Sequence, residues 1–175
     1  MPKPSLGDIA SSILDPMLSD NFSLDIPGIP VGGGTTHLLM QCQQATKPGT
    51  TINAVEVQLF GHTLEHAGNL TYNHDLSVTY LENRKAQILS TLEAWSEYTK
   101  SHDTQHGAYK SEYARDGYLR IYDQKGNTVK TYRIVNMWPS QVPDVQFDGS
   151  NSSAITLAVS FKFDYVVDAT NGAGG

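Results

Sequence analysis

Five consecutive residues, His62-Thr63-Leu64-Glu65-His66, carry the residue types of a zinc peptidase site. In the H-x-x-E-H pattern two histidines bind zinc from one face of a helix, the glutamate is the general base, and a third ligand lies elsewhere. Here the segment follows an apolar strand pattern and ends at Gly68-Asn69, which leaves little room for a stable helix. We interpret it as a polar loop, and keep a zinc-dependent hydrolase as an alternative that equimolar bound zinc would support.

Other patterns that would indicate catalysis or cofactor binding do not occur in the sequence. It contains no G-x-S-x-G, Walker A or G-x-G-x-x-G pattern, and Gly32-Gly33-Gly34 lacks the lysine and the helix of a phosphate-binding loop. The single cysteine, Cys42, excludes an internal disulfide and occupies an apolar position of an alternating pattern, which favours a small core residue. We therefore expect no enzyme activity, no cofactor and no bound metal.

The composition indicates one domain with a polar surface of low charge. The chain has 175 residues, of which 17% are charged, against about 25% in typical soluble domains. Such a surface suits burial in an assembly, and it equally suits a small β protein with polar turns. The net charge of −6 argues against attractive binding of nucleic acid, which needs clustered Lys and Arg. Because the sequence shows no signal-peptide pattern and no long apolar run, we expect folding in a reducing cytoplasm.

The hydrophobic periodicity predicts a mainly β fold. Alternation of apolar and polar residues predicts strands at 22–26, 38–44, 52–60, 76–80 and 155–165, and a hairpin of 118–122 with 129–135. Between 81 and 100, Ile88, Leu92 and Trp95 follow helical spacing. The fold class is then two packed antiparallel sheets, a β-sandwich or partly open barrel, with one flanking α-helix.

The chain is expected to have three parts. Residues 1–20 form an N-terminal arm, 21–167 the β domain, and 168–175 a flexible Gly-rich tail. We expect aromatic residues of the β domain to form its structural core, namely Trp95, Trp138, Phe147, Phe161 and Phe163.

Polar residues follow the outward faces of the long strands. They are Gln41, Gln43, Glu56, Gln58, Ser160, Lys162 and Asp164. One interpretation is an ordinary exposed sheet face. The other is a sheet that continues into neighbouring subunits and lines a channel with its wet face.

Several segments, in their order and approximate spacing, resemble the tail tube proteins of contractile-tailed bacteriophages. They are Phe22–Ile26, Met40-Gln41-Cys42-Gln43, Leu92-Glu93-Ala94-Trp95, Met137-Trp138-Pro139-Ser140 followed by Val145-Gln146-Phe147-Asp148, and the final strand to Asp164-Tyr165. The Trp-Pro corner, followed by a long alternating strand that ends in Asp-Tyr, is the strongest of these segments. The resemblance covers residues 20–166.

The resemblance implies a homo-hexameric ring whose strands continue into one inter-subunit β-barrel, with rings stacked into a tube inside a contractile sheath. The polar row would line the lumen, and the segment Thr46, Lys47, Pro48, Gly49 and Thr50 would reach the adjacent ring. Its implied partners are the sheath, baseplate, tail-terminator and tape-measure proteins and DNA passing through the lumen, with no membrane. The location would be the virion tail, after assembly in the host cytoplasm. An acidic lumen would repel phosphate.

Three other functions fit the same sequence. The first two, both close relatives of this architecture, are the tube protein of a bacteriocin or secretion-system injection machine and a baseplate protein that initiates the tube. The third is a monomeric β-sandwich binding module, which a chain that stays monomeric at high concentration would favour.

Overall fold

The computed structural model describes residues 17–31, 35–147, 150 and 153–170. Most of the predicted N-terminal arm and of the Gly-rich tail lies outside these residues. The strands are β1 (Phe22–Asp25), β2 (Cys42–Ala45), β3 (Thr50–Leu59), β4 (His62–Tyr72), β5 (Asp75–Leu81), β6 (Arg115–Tyr122), β7 (Thr128–Gln141), β8 (Thr156–Lys162) and β9 (Tyr165–Asp168). The helices are α1 (Thr36–Met40), α2 (Gln87–Thr99) and α3 (Lys110–Tyr113).

Seven of these strands form one antiparallel sheet, in the order β1-β6-β7-β8-β5-β2, with β9 paired to β7. The long strand β7 serves two halves of this sheet, because it pairs first with β6 and β9 and then, from Trp138, with β8. β3 and β4 form a separate two-stranded sheet. The predicted mainly β fold with two antiparallel sheets is confirmed, and the described strands do not close a barrel.

The two halves meet at a bulge in β7. Gly117 pairs with Ile134 but Arg115 pairs with Met137, so β7 carries one extra residue at this point. Asn136 takes the left-handed conformation there, with φ of 56°. Its backbone N–H donates to Asp116 Oδ1 at 3.0 Å and its side-chain amide to Asp164 Oδ2 at 2.8 Å. These bonds hold a conformation that asparagine tolerates better than most side chains.

The core lies between the two halves and α2. Alternate residues of β5 and β8 are fully buried, and so is the apolar stripe of α2: Leu76, Val78, Tyr80, Leu157, Val159, Phe161, Ile88, Leu92 and Trp95. Trp95 satisfies its buried Nε1–H by donating to the Tyr113 carbonyl oxygen at 2.8 Å. Burial of each large apolar side chain contributes about 1.5–3 kcal/mol, so this contiguous cluster stabilises the fold.

Of the aromatic residues expected in the core, Trp95, Phe161 and Phe163 are buried. Trp138 is half-buried and packs edge-on against Tyr113, with ring centroids 5.8 Å apart. Phe147 differs, because it is 80% exposed. Residues 142–147 form no strand and therefore do not hold its ring against either half of the sheet.

Helix α2 begins at Gln87, later than the predicted residue 81. The Glu82 carboxylate accepts from the backbone N–H groups of Ile88 at 3.3 Å and Leu89 at 2.8 Å. Asn83 Oδ1 accepts from Gln87 N–H at 3.3 Å. These side chains bind the free donors of the first turn, which is why the helix starts after them.

The predicted strand 38–44 is wrong in its first half. Residues Thr36–Met40 form helix α1, and only Cys42–Ala45 extend as β2. A strand would place Leu38 and Met40 on one face, but Leu38 is 1% exposed and Met40 is 75% exposed. A single helical turn buries Leu38 while His37 Nε2 bonds to Thr91 Oγ1 of α2 at 3.0 Å, so tertiary packing decided the conformation.

Four further boundaries differ from the predictions. The predicted strand 155–165 is divided into β8, which ends at Lys162, and β9, which begins at Tyr165 and pairs with β7. The segment 62–66, interpreted as a loop, belongs to strand β4, because it pairs with β3 along its whole length. The predicted loop 101–113 ends in helix α3, so the described residues contain three helices where one was predicted. β7 continues through Trp138-Pro139 to Gln141, and Pro139 pairs with Phe161 at that end of the strand.

The bulge generates a testable prediction. Replacing Asn136 by alanine removes the bond to Asp164 and strains the left-handed backbone, so we expect a loss of about 2 kcal/mol in the free energy of unfolding. Asn136→Gly loses the same bond without the strain and should cost about 1 kcal/mol or less. Urea unfolding of the monomer measures both, and equal losses would contradict a conformational role for this residue.

Candidate functional site

The β3–β4 hairpin is left uncovered by the other residues that the structure describes. Its strands have 10 and 11 residues, and all but three of these residues are exposed. A two-residue turn, Phe60-Gly61, joins them with φ values of 51° and 80°. Positive φ at both central residues is typical of the type I′ turn, whose twist matches that of paired strands. An isolated hairpin of two strands is marginal in water, so this one needs a partner.

The hairpin has one apolar and one polar face near its tip. Val55 pairs with His66, Val57 with Leu64 and Leu59 with His62, which places these six side chains on one face. The opposite face carries Gln58 beside Thr63 and Glu56 beside Glu65. Apolar surface exposed in this way marks an interaction site.

This register also separates the residues of the H-x-x-E-H pattern. Side chains alternate along a strand, so Glu65 points away from the face that carries His62 and His66. Four residues of strand put the two histidines about 13 Å apart, too far to bind one zinc ion together. The described residues contain no group of three or more His, Cys, Asp or Glu that could hold a metal ion.

The base of the hairpin is twisted by a bulge between Ile52 and Ala54. A side chain at Gly68 would lie 2.8 Å from the Asn53 carbonyl oxygen, so the close approach of the two strands requires glycine there. Beyond the bulge Ile52 and Leu70 pair, and they are 60% and 51% exposed. Because side chains alternate along β3, Ile52 lies on the same face as Glu56 and Gln58, so exposed apolar residues occur on both faces of the hairpin.

A second feature is the outward face of β2, β5 and β8, which we name the wet face. It consists of uncharged, mostly polar residues in register across the strands: Gln44, Ser77, Thr79, Ala158 and Ser160. At its edge Lys162 Nζ lies 2.7 Å from Asp75 Oδ1, and both side chains are more than 40% exposed. The two charges cancel, so the wet face is close to neutral.

The structure brings together only part of the predicted polar row. Ser160 and Lys162 lie on the wet face, whereas Glu56 and Gln58 lie on the hairpin. Gln41 ends helix α1 and accepts a hydrogen bond from Asn83 at 3.3 Å.

The other two predicted residues also lie apart from this face. Gln43 occupies a bulge in β2, which moves Gln44 into register with Thr79. Asp164 lies at the β7 corner, where Lys110 Nζ at 2.5 Å and Asn136 lower the pKa of its carboxyl. Sequence reasoning missed Ser77 and Thr79, although both alternate with buried residues of β5 and carried the same signal as β8.

The segment predicted to reach an adjacent ring is held against the body of the protein. Thr46 N–H donates to the Ser77 carbonyl oxygen at 3.1 Å, Pro48 is buried, and Lys47 Nζ lies 5.1 Å from the centre of the Tyr132 ring. Gly49 is exposed and Thr50 begins β3. The element that projects is therefore the hairpin that follows this segment.

A groove lies between the two outer strands of the sheet, β1 and β2, and we name it the edge groove. Apolar residues of both sides line it: Met17, Leu18, Phe22, Ala45, Leu119 and Ile121. Lys47 and Gln43 also line it. Within the described residues neither β1 nor β2 has a strand paired to its outer edge. Cys42 of β2 is half-buried, and burial raises the pKa of its thiol to about 11.

Residues 18–168 match the phage tail tube protein family. The chain belongs to this family. Among solved structures, a chain of the sheath–tube complex of PVC, an extracellular contractile injection system, in its extended state is 12% identical, with a TM-score of 0.62 over 95% of this chain and 98% of that one. A chain of the tube-terminating cap of the anti-feeding prophage is 10% identical, with a TM-score of 0.65 over 91% and 94%. Likenesses at this identity show that the tail tube fold is shared.

No curated protein sequence matches the chain. Among the helices that the structure describes, none has the length and apolar character needed to cross a membrane.

The glutamates that face each other on the hairpin generate a prediction. Like charges directly opposite on paired strands destabilise them by about 0.2–1 kcal/mol, so Glu56→Gln should slow amide hydrogen exchange throughout β3 and β4 of the monomer. Added salt should slow the same exchange in the wild type but not in the variant. Glu93→Gln, which removes an exposed charge from α2, is the control. Faster exchange in Glu56→Gln would contradict this account.

Proposed function

We propose that this protein forms stacked hexameric rings of a phage tail tube, the conduit for genome ejection inside a contractile sheath. The observation that carries the proposal is the β3–β4 hairpin, whose apolar surface the chain itself leaves in water. A second copy would bury it, and a heterologous contact of this kind closes into rings or extends into a filament. Membership of the tail tube family supports this assembly over a monomeric binding module.

The wet face is our candidate for the lining of the channel. A conduit must not bind the phosphate backbone, and binding requires clustered positive charge. On this face the charge of Lys162 is balanced by Asp75, and the remaining residues are uncharged. DNA would pass such a surface without strong attraction. The sheet would then continue from the free edge of β2 into a strand of a neighbouring subunit, which would remove that exposed edge.

We further propose a division of the chain and a set of partners. Residues 21–167 would be the tube domain, with 1–20 as an arm and 168–175 as a tail. The sheath would surround the tube, baseplate and terminator proteins would bind its ends, and the tape-measure protein and DNA would occupy the lumen. The assembled location would be the virion tail, with assembly in the host cytoplasm.

The proposed role is structural, with no catalytic step. The H-x-x-E-H residues support this role, because Glu65 lies on the face of β4 opposite to both histidines. A zinc-bound monomer with hydrolase activity would refute it. The tube of another injection machine, or a tube-initiating protein, is the alternative. The cargo in the channel distinguishes a phage tail tube from the tube of another injection machine.

The first test is the assembly itself. Size-exclusion chromatography and negative-stain electron microscopy of the purified protein should show hollow rings or tubes with a central channel, because burial of the hairpin favours association. Addition of a baseplate complex should promote tubes if nucleation limits growth. A monomer at every concentration, with and without that nucleus, would contradict the proposal.

The second test concerns the channel lining. Ser77 and Ser160 face each other across β5 and β8, so the double variant Ser77→Lys/Ser160→Lys adds two positive charges per subunit to the wet face. Tubes of this variant should retain DNA that is protected from nuclease and released by salt. The control, Ser90→Lys/Ala94→Lys, adds the same charge to exposed positions of α2. Nuclease-sensitive DNA in both variants would mean that the wet face does not line the channel.

A further inference from the structure

The tip of the β3–β4 hairpin carries a residue that the turn does not favour. Phe60 occupies the first central position of the turn with φ of 51°, where Asn or Gly is the usual residue. Its side chain is 100% exposed. A bulky side chain in the left-handed region is strained, and none of the described residues makes a contact with the ring that would compensate for the strain. The monomer therefore gains nothing from this aromatic ring, which indicates a role in contact with another molecule.

The edge groove has an apolar lining that is complementary to an exposed aromatic ring. Its apolar lining includes Leu119, which is 4% exposed, at the bottom, and Leu18 and Met17, which are 45% and 70% exposed. A pocket with buried apolar residues and an apolar rim suits an aromatic anchor.

The hairpin cannot fill the groove of its own chain. Lys47 lines the groove and lies three residues before the start of β3 at Thr50, so the groove is near the base of the hairpin. Ten residues of strand at about 3.3 Å each place the tip roughly 30 Å from that base. A tip that is fully exposed and far from its own groove can reach only the groove of another copy.

We propose that Phe60 at the hairpin tip of one copy inserts into the edge groove of a second copy. This contact deepens the proposed tube assembly, on which it rests, by naming the two surfaces that meet. Because the tip and the groove are different surfaces, each copy can bind one neighbour through its tip and another through its groove. The contact can therefore repeat from copy to copy.

The charges around the two surfaces agree with this pairing. The hairpin carries Glu56 and Glu65 side by side on its polar face, and the groove carries Lys47 on its rim. The repulsion between the glutamates weakens the free hairpin, and a lysine supplied by a second copy would relieve it.

The first experiment separates assembly from folding. Phe60→Asn creates the Asn-Gly sequence that the turn prefers, so the monomer should melt at the same or a higher temperature than the wild type. Its critical concentration for assembly should rise by about tenfold or more, as expected for loss of a buried aromatic anchor. The matched control is Phe147→Asn, which removes an aromatic side chain that is 80% exposed elsewhere. Assembly of Phe60→Asn at the wild-type concentration would overturn the inference, as would an equal loss in both variants.

The second experiment locates the contact. In a Cys42→Ala background, Phe60→Cys combined with Gln43→Cys places one thiol at the tip and one in the groove. Both double variants lack the Phe60 ring, so they are assembled above the raised critical concentration expected for its loss. Oxidation of the assembled protein should then give a ladder of covalently linked copies on a non-reducing gel, whereas Phe60→Cys with Ser90→Cys on α2 should not. Tubes that form without the ladder would overturn the groove contact while leaving the tube function standing. Wild-type protein that never assembles would instead refute the proposed function.

Discussion

The structure depends on the bend in β7 at Asn136. β7 contributes to both halves of the sheet, so the bend at Asn136 sets the orientation of one half relative to the other. Two carboxylates fix it: Asp116 binds the backbone N–H of Asn136 and Asp164 binds its side chain. Arg133, at 2.7 Å from Asp116, and Lys110 balance these charges. Polar bonds at the β7 bulge therefore hold the two halves of the sheet together, in addition to the burial of apolar side chains between them.

This arrangement buries nearly all of the large apolar residues of the main sheet and leaves those of the hairpin exposed. β3 and β4 leave the body where the wet face ends, since Asp75 both follows the hairpin and pairs with Lys162. A chain folded in this way has a buried apolar core and a projecting hairpin whose apolar residues stay exposed. Under the proposed function, association with further copies would be the step that removes the remaining apolar surface from water.

The sequence predicted the elements whose periodicity is long and regular. β8 and α2 were found because Leu157, Val159 and Phe161 follow the strand period and Ile88, Leu92 and Trp95 the helix period. Short segments were less well predicted. Residues 36–40 form a helix because Leu38 packs under α2, a long-range contact that a five-residue pattern does not contain.

Only β3, the first strand of the hairpin, was predicted from the sequence, and the reason is different. β3 alternates clearly, but β4 contains two histidines and a glutamate, which suggested a loop. The signal that could have identified it was the turn at Phe60-Gly61 between two alternating runs of similar length. The predicted polar row combined residues of the wet face with residues of the hairpin. Alternation shows which residues share a strand face, but it does not show which strands are neighbours.

The most direct test of this account is a cryo-electron microscopy reconstruction of the assembled protein at side-chain resolution. The account predicts that the apolar face of β3–β4 is buried against a second copy and that Ser77 and Ser160 face a central channel. A reconstruction in which the hairpin remains in solvent, or in which the wet face lies on the outside of the assembly, would contradict it.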